Sequence, residues 1–171
     1  MTCTGPRVTV TGIESLYRIG GGGLSKQPVW LDILAHAVTE LPKGCQGKVA
    51  NRLLATILGK AGVRVASEVA VSPGSAHSVD FLIVSDEAKV GVELGTGQAE
   101  RVELDLLKLI TLALRREINC ACLILPRDVS RHSVMGAQQM STAVKGLARM
   151  CSPLFNLIQA QLRDMFVMWY I

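Results

Sequence analysis

The sequence predicts an α/β protein with one folded domain. Its 171 residues fit a single domain and can bury a hydrophobic core without disulfides or a structural metal. Apolar residues make up 49% of the chain and charged residues 19%, which excludes a disordered or highly charged protein. Segments with helical periodicity alternate with segments of extended character, and this mixture indicates helices packed on a sheet.

The first 26 residues are predicted to form an N-terminal arm that ends in a glycine-rich linker. The arm contains one short strand-like stretch, residues 7–11. Four consecutive glycines follow at positions 20–23, but their surroundings do not match the spacing of a phosphate-binding loop, so we interpret them as a linker. Residues 27–171 are predicted to form the single domain.

Two helices open this domain. The first is predicted from Pro28 to about residue 41, because proline is favoured at a helix start and apolar residues recur on one face. The second is predicted over residues 47–60, and Gly62 is placed to end it.

The period then changes to that of strands. Three strands are predicted over residues 63–71, 79–84 and 89–94, and the turn residues between them indicate a β-meander. A long helix over residues 99–116 follows.

The remaining third of the chain is predicted to return to the sheet. Residues 119–125 are nearly all apolar, which is typical of a buried central strand. Helices are predicted over residues 133–150 and 153–162. A last strand over residues 165–171 is expected at an edge of the sheet or at an interface.

Two acidic residues interrupt strands that are otherwise apolar. Residues 85–88 are the only polar break between the second and third strands and predict a hairpin loop. In a symmetric loop, Val84 faces Lys89 and Asp80 faces Glu93. Opposed residues share a face, so two carboxylates there repel each other unless a cation lies between them or one is protonated.

This carboxylate pair predicts a divalent-cation site. Mg²⁺ suits it, because this ion takes one or two protein carboxylates and keeps several waters. A simpler alternative is that Asp80 and Glu93 lie at strand ends and face water.

The order of elements and three short motifs resemble the PD-(D/E)XK nucleases, and within them the BamHI/BglII type of restriction endonuclease. The motifs are residues 79–81 (VDF), 92–99 (VELGTGQA) and 105–109 (DLLKL), and residues 47–51 (GKVAN) are also similar. The resemblance covers residues 45–126. It implies a restriction-endonuclease-like fold, in which a mixed central sheet is flanked by helices.

The resemblance also implies a function, namely a Mg²⁺-dependent DNA endonuclease that hydrolyses phosphodiester bonds, with Mn²⁺ as a substitute ion. Asp80 and Glu93 would hold the metal, which would polarise the scissile phosphate and lower the pKa of an attacking water.

The sequence departs from the family at the third active-site position, which is Gly95. A side chain there normally positions or deprotonates the water. Gln98 is expected to take this role because it is close to Glu93 in sequence. Other candidates from neighbouring elements are Lys48, Glu68 and Lys108. The missing side chain keeps a second function open, a catalytically inactive nuclease-fold module that serves DNA binding or protein assembly.

The partners are predicted from charge and apolar content. The net charge of +4 is compatible with a polyanion, and four basic residues are candidates for contacts with duplex DNA: Lys48, Arg52, Arg127 and Arg131. With few charges to cover the surface, a homodimer interface is expected. No signal peptide and no apolar run of about 20 residues is present, so the prediction is a cytoplasmic protein without a membrane partner.

Overall fold

Helices and strands of a mixed α/β architecture are present in the computed structural model, which describes residues 5–18, 28–45, 47–86, 88–95, 99–126 and 162–171. In chain order the elements are β1 (Val10–Arg18), α1 (Val29–Thr39), α2 (Gly47–Lys60), β2 (Arg64–Ala70), β3 (Ser78–Val84), β4 (Lys89–Leu94), α3 (Ala99–Leu114), β5 (Cys120–Pro126) and β6 (Asp164–Tyr170). Within these ranges, no helix has the length and apolar character needed to cross a membrane.

All six strands belong to one sheet in the order β1-β6-β5-β4-β3-β2. The meander β2-β3-β4 is antiparallel, β4, β5 and β6 are parallel to one another, and β1 runs antiparallel to β6. A parallel pair needs a crossover connection, and α3 supplies it between β4 and β5. The prediction of an α/β protein with a mixed sheet is confirmed.

The register of the β3–β4 hairpin is the predicted one. Val84 lies opposite Lys89, and the ladder continues pair by pair to Phe81 and Val92. The backbone N–H of Ser85 donates to the carbonyl of residue 88 at 2.9 Å and closes the turn. Asp80 and Glu93 are the residues that directly follow this last pair on the two strands.

The sheet carries a hydrophobic core on each face. On one face, α1 and α2 bury residues such as Leu34 and Leu58 against Phe81. On the other, α3 buries residues such as Leu106 against Leu123. Burying a leucine or phenylalanine fully stabilises the fold by roughly 1.5–3 kcal/mol. Since both faces are covered, β5 is buried from Cys120 to Leu125, as predicted for a central strand.

The strands β1 and β6 differ from the predictions. The expected strand at residues 7–11 is instead Val10–Arg18, and this strand pairs with β6. The last strand is therefore not at an edge, because β6 lies between β5 and β1. The residues of β6 are almost all apolar and buried. Burial of this kind requires a strand paired at each edge and packing against both faces. The predicted linker at residues 20–23 and the helices predicted at 133–150 and 153–162 lie outside the described residues.

Candidate metal and active site

A pocket of about 320 Å³ lies where α2 and β3 begin, where β4 ends and where α3 passes the sheet. It is lined mainly by charged side chains. These are Lys48, Glu68, Asp80, Glu93, Arg101, Asp105 and Lys108. The two carboxylates predicted from the hairpin therefore line the same pocket.

Asp80 is oriented by two donors from neighbouring elements. The side-chain Nδ2 of Asn51, on α2, donates to its Oδ1 at 2.7 Å. The backbone N–H of Leu94, on β4, donates to its Oδ2 at 2.8 Å. Because each carboxylate oxygen has two lone pairs, both oxygens of Asp80 keep one site for a further partner.

Glu93 is buried in a largely apolar sheet, with 2% of its surface exposed. Its Oε1 lies 2.7 Å from Nζ of Lys108 but has no hydrogen bond of good geometry. Opposite charges at that separation attract at any angle, so the contact is an ion pair when Glu93 is ionised. Burial raises the pKa of Glu93 to about 9; the nearby Asp105 and Asp80 act in the same direction, and Lys108 acts against it.

Lys108 places its ammonium group close to three acceptors. Its Nζ lies 2.7 Å from Oε1 of Glu93, 2.8 Å from Oδ1 of Asp105 and 3.2 Å from the carbonyl oxygen of Ser78. Burial acts to lower the pKa of Lys108, but its bonds to Asp105 and Glu93 outweigh burial and raise the pKa. Burial also raises the pKa of Asp105. Asp105 and Lys108 are one helical turn apart, the spacing that places two side chains side by side.

The carboxylates of this pocket are donors of the kind that a hard divalent cation takes. Glu93 and Asp105 contact one ammonium group and Asp80 lines the same pocket, so three carboxylates share it with one buried cation. In the described part of the chain, no group of three or more His, Cys, Asp or Glu side chains is arranged to hold a metal. Two carboxylates with water completing the shell match what Mg²⁺ accepts.

The third position is closed to a side chain. A Cβ atom on Gly95 would lie 2.5 Å from Cδ2 of Leu125, on the neighbouring strand β5. The backbone N–H of Gly95 is also held by the carbonyl of Ile124 at 2.8 Å. No residue larger than glycine fits there unless Leu125 moves, so a polar side chain near Glu93 has to come from another element.

Of the candidates for this third role, Lys108 is the one that contacts Glu93. Lys48 and Glu68 line the pocket, whereas Gln98 lies outside the described residues. Glu68 has a positive φ of 53°, a conformation that is uncommon for glutamate.

Asp105 and Asn51 contribute to the site but were not assigned a role from the sequence, although both stand in stretches that carry the resemblance. Asp105 had a further local signal, because an acidic residue three positions before Lys108 on a helix predicts a pair. The contact of Asn51 with Asp80 could not be predicted, because it joins α2 to β3 and depends on how the helix packs.

The basic residues predicted to contact DNA fall into two groups. Lys48 lines the pocket, and Arg52 is exposed on the same helix. Arg127 and Arg131 lie outside the described residues. Arg101, which was not predicted, also lines the pocket.

Comparison with known proteins does not identify a family. No protein-family model matches the chain. No curated protein matches it either.

Proposed function

We propose that this chain is a Mg²⁺-dependent DNA endonuclease with a restriction-endonuclease-like fold. The observation that supports it most directly is that Asp80 and Glu93, which stand just beyond the last pair of the β3–β4 ladder, line a single pocket together with Lys108. An acidic residue in each of two apolar strands costs free energy of folding when its charge is unpaired. A cation between the two carboxylates offsets that cost.

The order of elements also supports this fold. Two helices, a meander, a long helix and a buried strand follow one another in the chain, and this is the order on which the resemblance to the PD-(D/E)XK nucleases rests. The acidic residues stand on the second and third strands of the meander, as the resemblance implies.

In the proposed reaction, Asp80 and Glu93 would hold the metal, whose positive charge would polarise the scissile phosphate and lower the pKa of a bound water. The chain itself supplies the orientation. Asn51 and the N–H of Leu94 fix the Asp80 carboxylate. Lys108 places a positive charge in contact with Glu93. Gly95, at the third active-site position of the strand, has no side chain and supplies no such charge.

Duplex DNA is the proposed substrate. Lys48 and Arg101 lie at the same pocket as the carboxylates and are suited to hold the phosphates on either side of the scissile bond. A two-fold dimer in the cytoplasm would present one site to each strand. The exposed leucines of α3, Leu107 at 50% and Leu114 at 48%, supply apolar surface for such an interface.

Cleavage assays test the proposal. Supercoiled plasmid and linear duplex DNA of mixed sequence are incubated with the protein and Mg²⁺ or Mn²⁺. We expect metal-dependent cutting that falls by about a hundredfold or more in Asp80→Asn and Glu93→Gln, because each change removes a metal-binding charge. Lys60→Met is the matched control, because Lys60 is an exposed cation at the opposite end of α2 from the pocket.

The closed position at Gly95 favours the second candidate, an inactive nuclease-fold module for DNA binding or assembly. In that case the protein would bind duplex DNA equally well with and without a chelator and would cut none of the substrates with either ion. That combined result would replace the endonuclease proposal.

A further inference from the structure

Lys108 holds its ammonium group among three acceptors of the protein. It donates a hydrogen bond to the carbonyl oxygen of Ser78 at 3.2 Å. Its Nζ is also in ion-pair contact with Asp105 at 2.8 Å and with Glu93 at 2.7 Å. Its side chain is 13% exposed, so water has little access to compete.

The acceptor at 2.7 Å is Glu93, the residue proposed to bind the cation. Oε1 of Glu93 has no hydrogen-bond partner among the described residues, and its contact with the ammonium is made by charge alone. A divalent ion placed at Glu93 and Asp80 would stand next to that ammonium, and like charges in a buried pocket repel strongly. A divalent ion and Lys108 therefore compete for the same carboxylate.

Asp105 is a second acidic partner of Lys108. It lies on the same helix turn, 2.8 Å from Nζ, and moves with Lys108 because both belong to α3. Its carboxylate is buried, so it gains from keeping a cation beside it. Lys108 can thus lose the contact with Glu93 and stay neutralised.

From these contacts we propose that Lys108 is a resident cation that occupies Glu93 in the metal-free protein. It gives up that contact when a divalent ion binds, keeps its contact with Asp105, and then presents its ammonium group to the pocket. Lys108 then acts as the group that the strand position Gly95 cannot supply. This inference rests on the proposed metal site, and it makes Asp105 a positioning residue that acts through Lys108.

Mn²⁺ binding to the purified full chain, measured by calorimetry without DNA, tests the competition. Lys108→Met removes the competing charge, so we expect the dissociation constant for Mn²⁺ to fall by about tenfold or more. Lys48→Met is the matched control for the loss of any one positive charge at the pocket, because Lys48 lines the same pocket without an ion pair to Glu93. We expect the Mn²⁺ dissociation constant of this variant to change by less than about threefold. Equal or weaker Mn²⁺ binding by Lys108→Met would overturn the inference, since it would make Lys108 a support of the site rather than a competitor.

A second measurement uses the unmodified protein, in case Lys108→Met does not fold. The ¹⁵N resonance of the Lys108 ammonium, assigned by comparison with Lys108→Arg, is followed during titration with Mg²⁺. We expect it to shift with the same midpoint as the binding isotherm, because one of its three acceptors is lost. A resonance that stays in place while Mg²⁺ binds excludes the proposed release.

The two proposals fail in different ways. If the wild-type chain binds no Mn²⁺ at millimolar concentration, the metal site and the proposed function both fail. If it binds Mn²⁺ and cuts DNA while the Lys108 resonance and the Lys108→Met affinity do not change as expected, only the role of Lys108 is wrong.

Discussion

Glu93 combines a charge with almost complete burial. A carboxylate in such a place is stable only if it is protonated, paired or bound to a cation. Among the residues that the structure describes, its ion-pair partner is the ammonium of Lys108, which it shares with Asp105, so the pairing is incomplete. The charge state of Glu93 should therefore depend on pH and on metal.

A pH-dependent stability follows for the metal-free protein. Glu93 has a folded-state pKa of about 9, above the ordinary value of 4.5, so the stability associated with its protonated form is complete below about pH 4.5 and is lost as the pH rises through 9. Glu93→Gln cannot ionise, so its free energy of unfolding relative to wild type should rise steadily from pH 5 to pH 9. Urea unfolding in the presence of a chelator measures this. A constant difference across that range would mean that Glu93 is not the group that titrates.

At the scale of elements, the position of α3 decides whether the pocket exists. Helix α3 carries Asp105 and Lys108, and it approaches β4 closely at Gly91. A Cβ atom on Gly91 would lie 2.8 Å from Cδ2 of Leu109 on α3 and 2.9 Å from Cδ1 of Ile118. The missing side chain at 91 therefore sets the depth at which α3 sits on the sheet.

Gly91→Ala is expected to lower the free energy of unfolding by about 1–3 kcal/mol, because it overpacks the contact between α3 and β4. Gly59→Ala is the matched control. Gly59 lies in α2 with no atom within 4 Å of an added Cβ, so alanine there should stabilise the protein by about 0.5–1 kcal/mol through helix propensity. Chemical denaturation measures both, and two changes of the same sign would contradict the packing described for α3.

The elements that could be predicted from the sequence are those with local signals. The bounds of α2 and β4 match the prediction, and the hairpin register follows from loop symmetry. The closed position at Gly95 could not be predicted, because it depends on Leu125 from a strand about 30 residues later. The Lys108–Glu93 contact likewise depends on how α3 docks. The predicted strand at residues 7–11 was too short and began too early, because the pairing that defines β1 is with β6, far along the sequence.

At the scale of the whole molecule, β1 is part of the sheet rather than a detachable arm. It pairs with β6 from Val10 to Arg18 and covers an otherwise unpaired strand edge. An uncovered apolar edge of this kind is a template for association between chains.

Deletion of residues 1–18 should therefore give a protein that aggregates and has lost its cooperative thermal transition. Circular dichroism and analytical ultracentrifugation measure these two properties. Deletion of residues 1–4 is the control, because it leaves β1 in place. A soluble, cooperatively folded product of the longer deletion would instead support the sequence-based interpretation of an independent arm.

The pairing of β1 with β6 also has a consequence for biosynthesis. β1 leaves the ribosome before every other element of this sheet, so the nascent chain carries β1 without its partner until β6 has been made. The meander and α3, whose contacts are local, can form earlier, while closure of this edge must wait for β6. A translational pause before β6 would prolong the interval in which β1 is open to wrong partners.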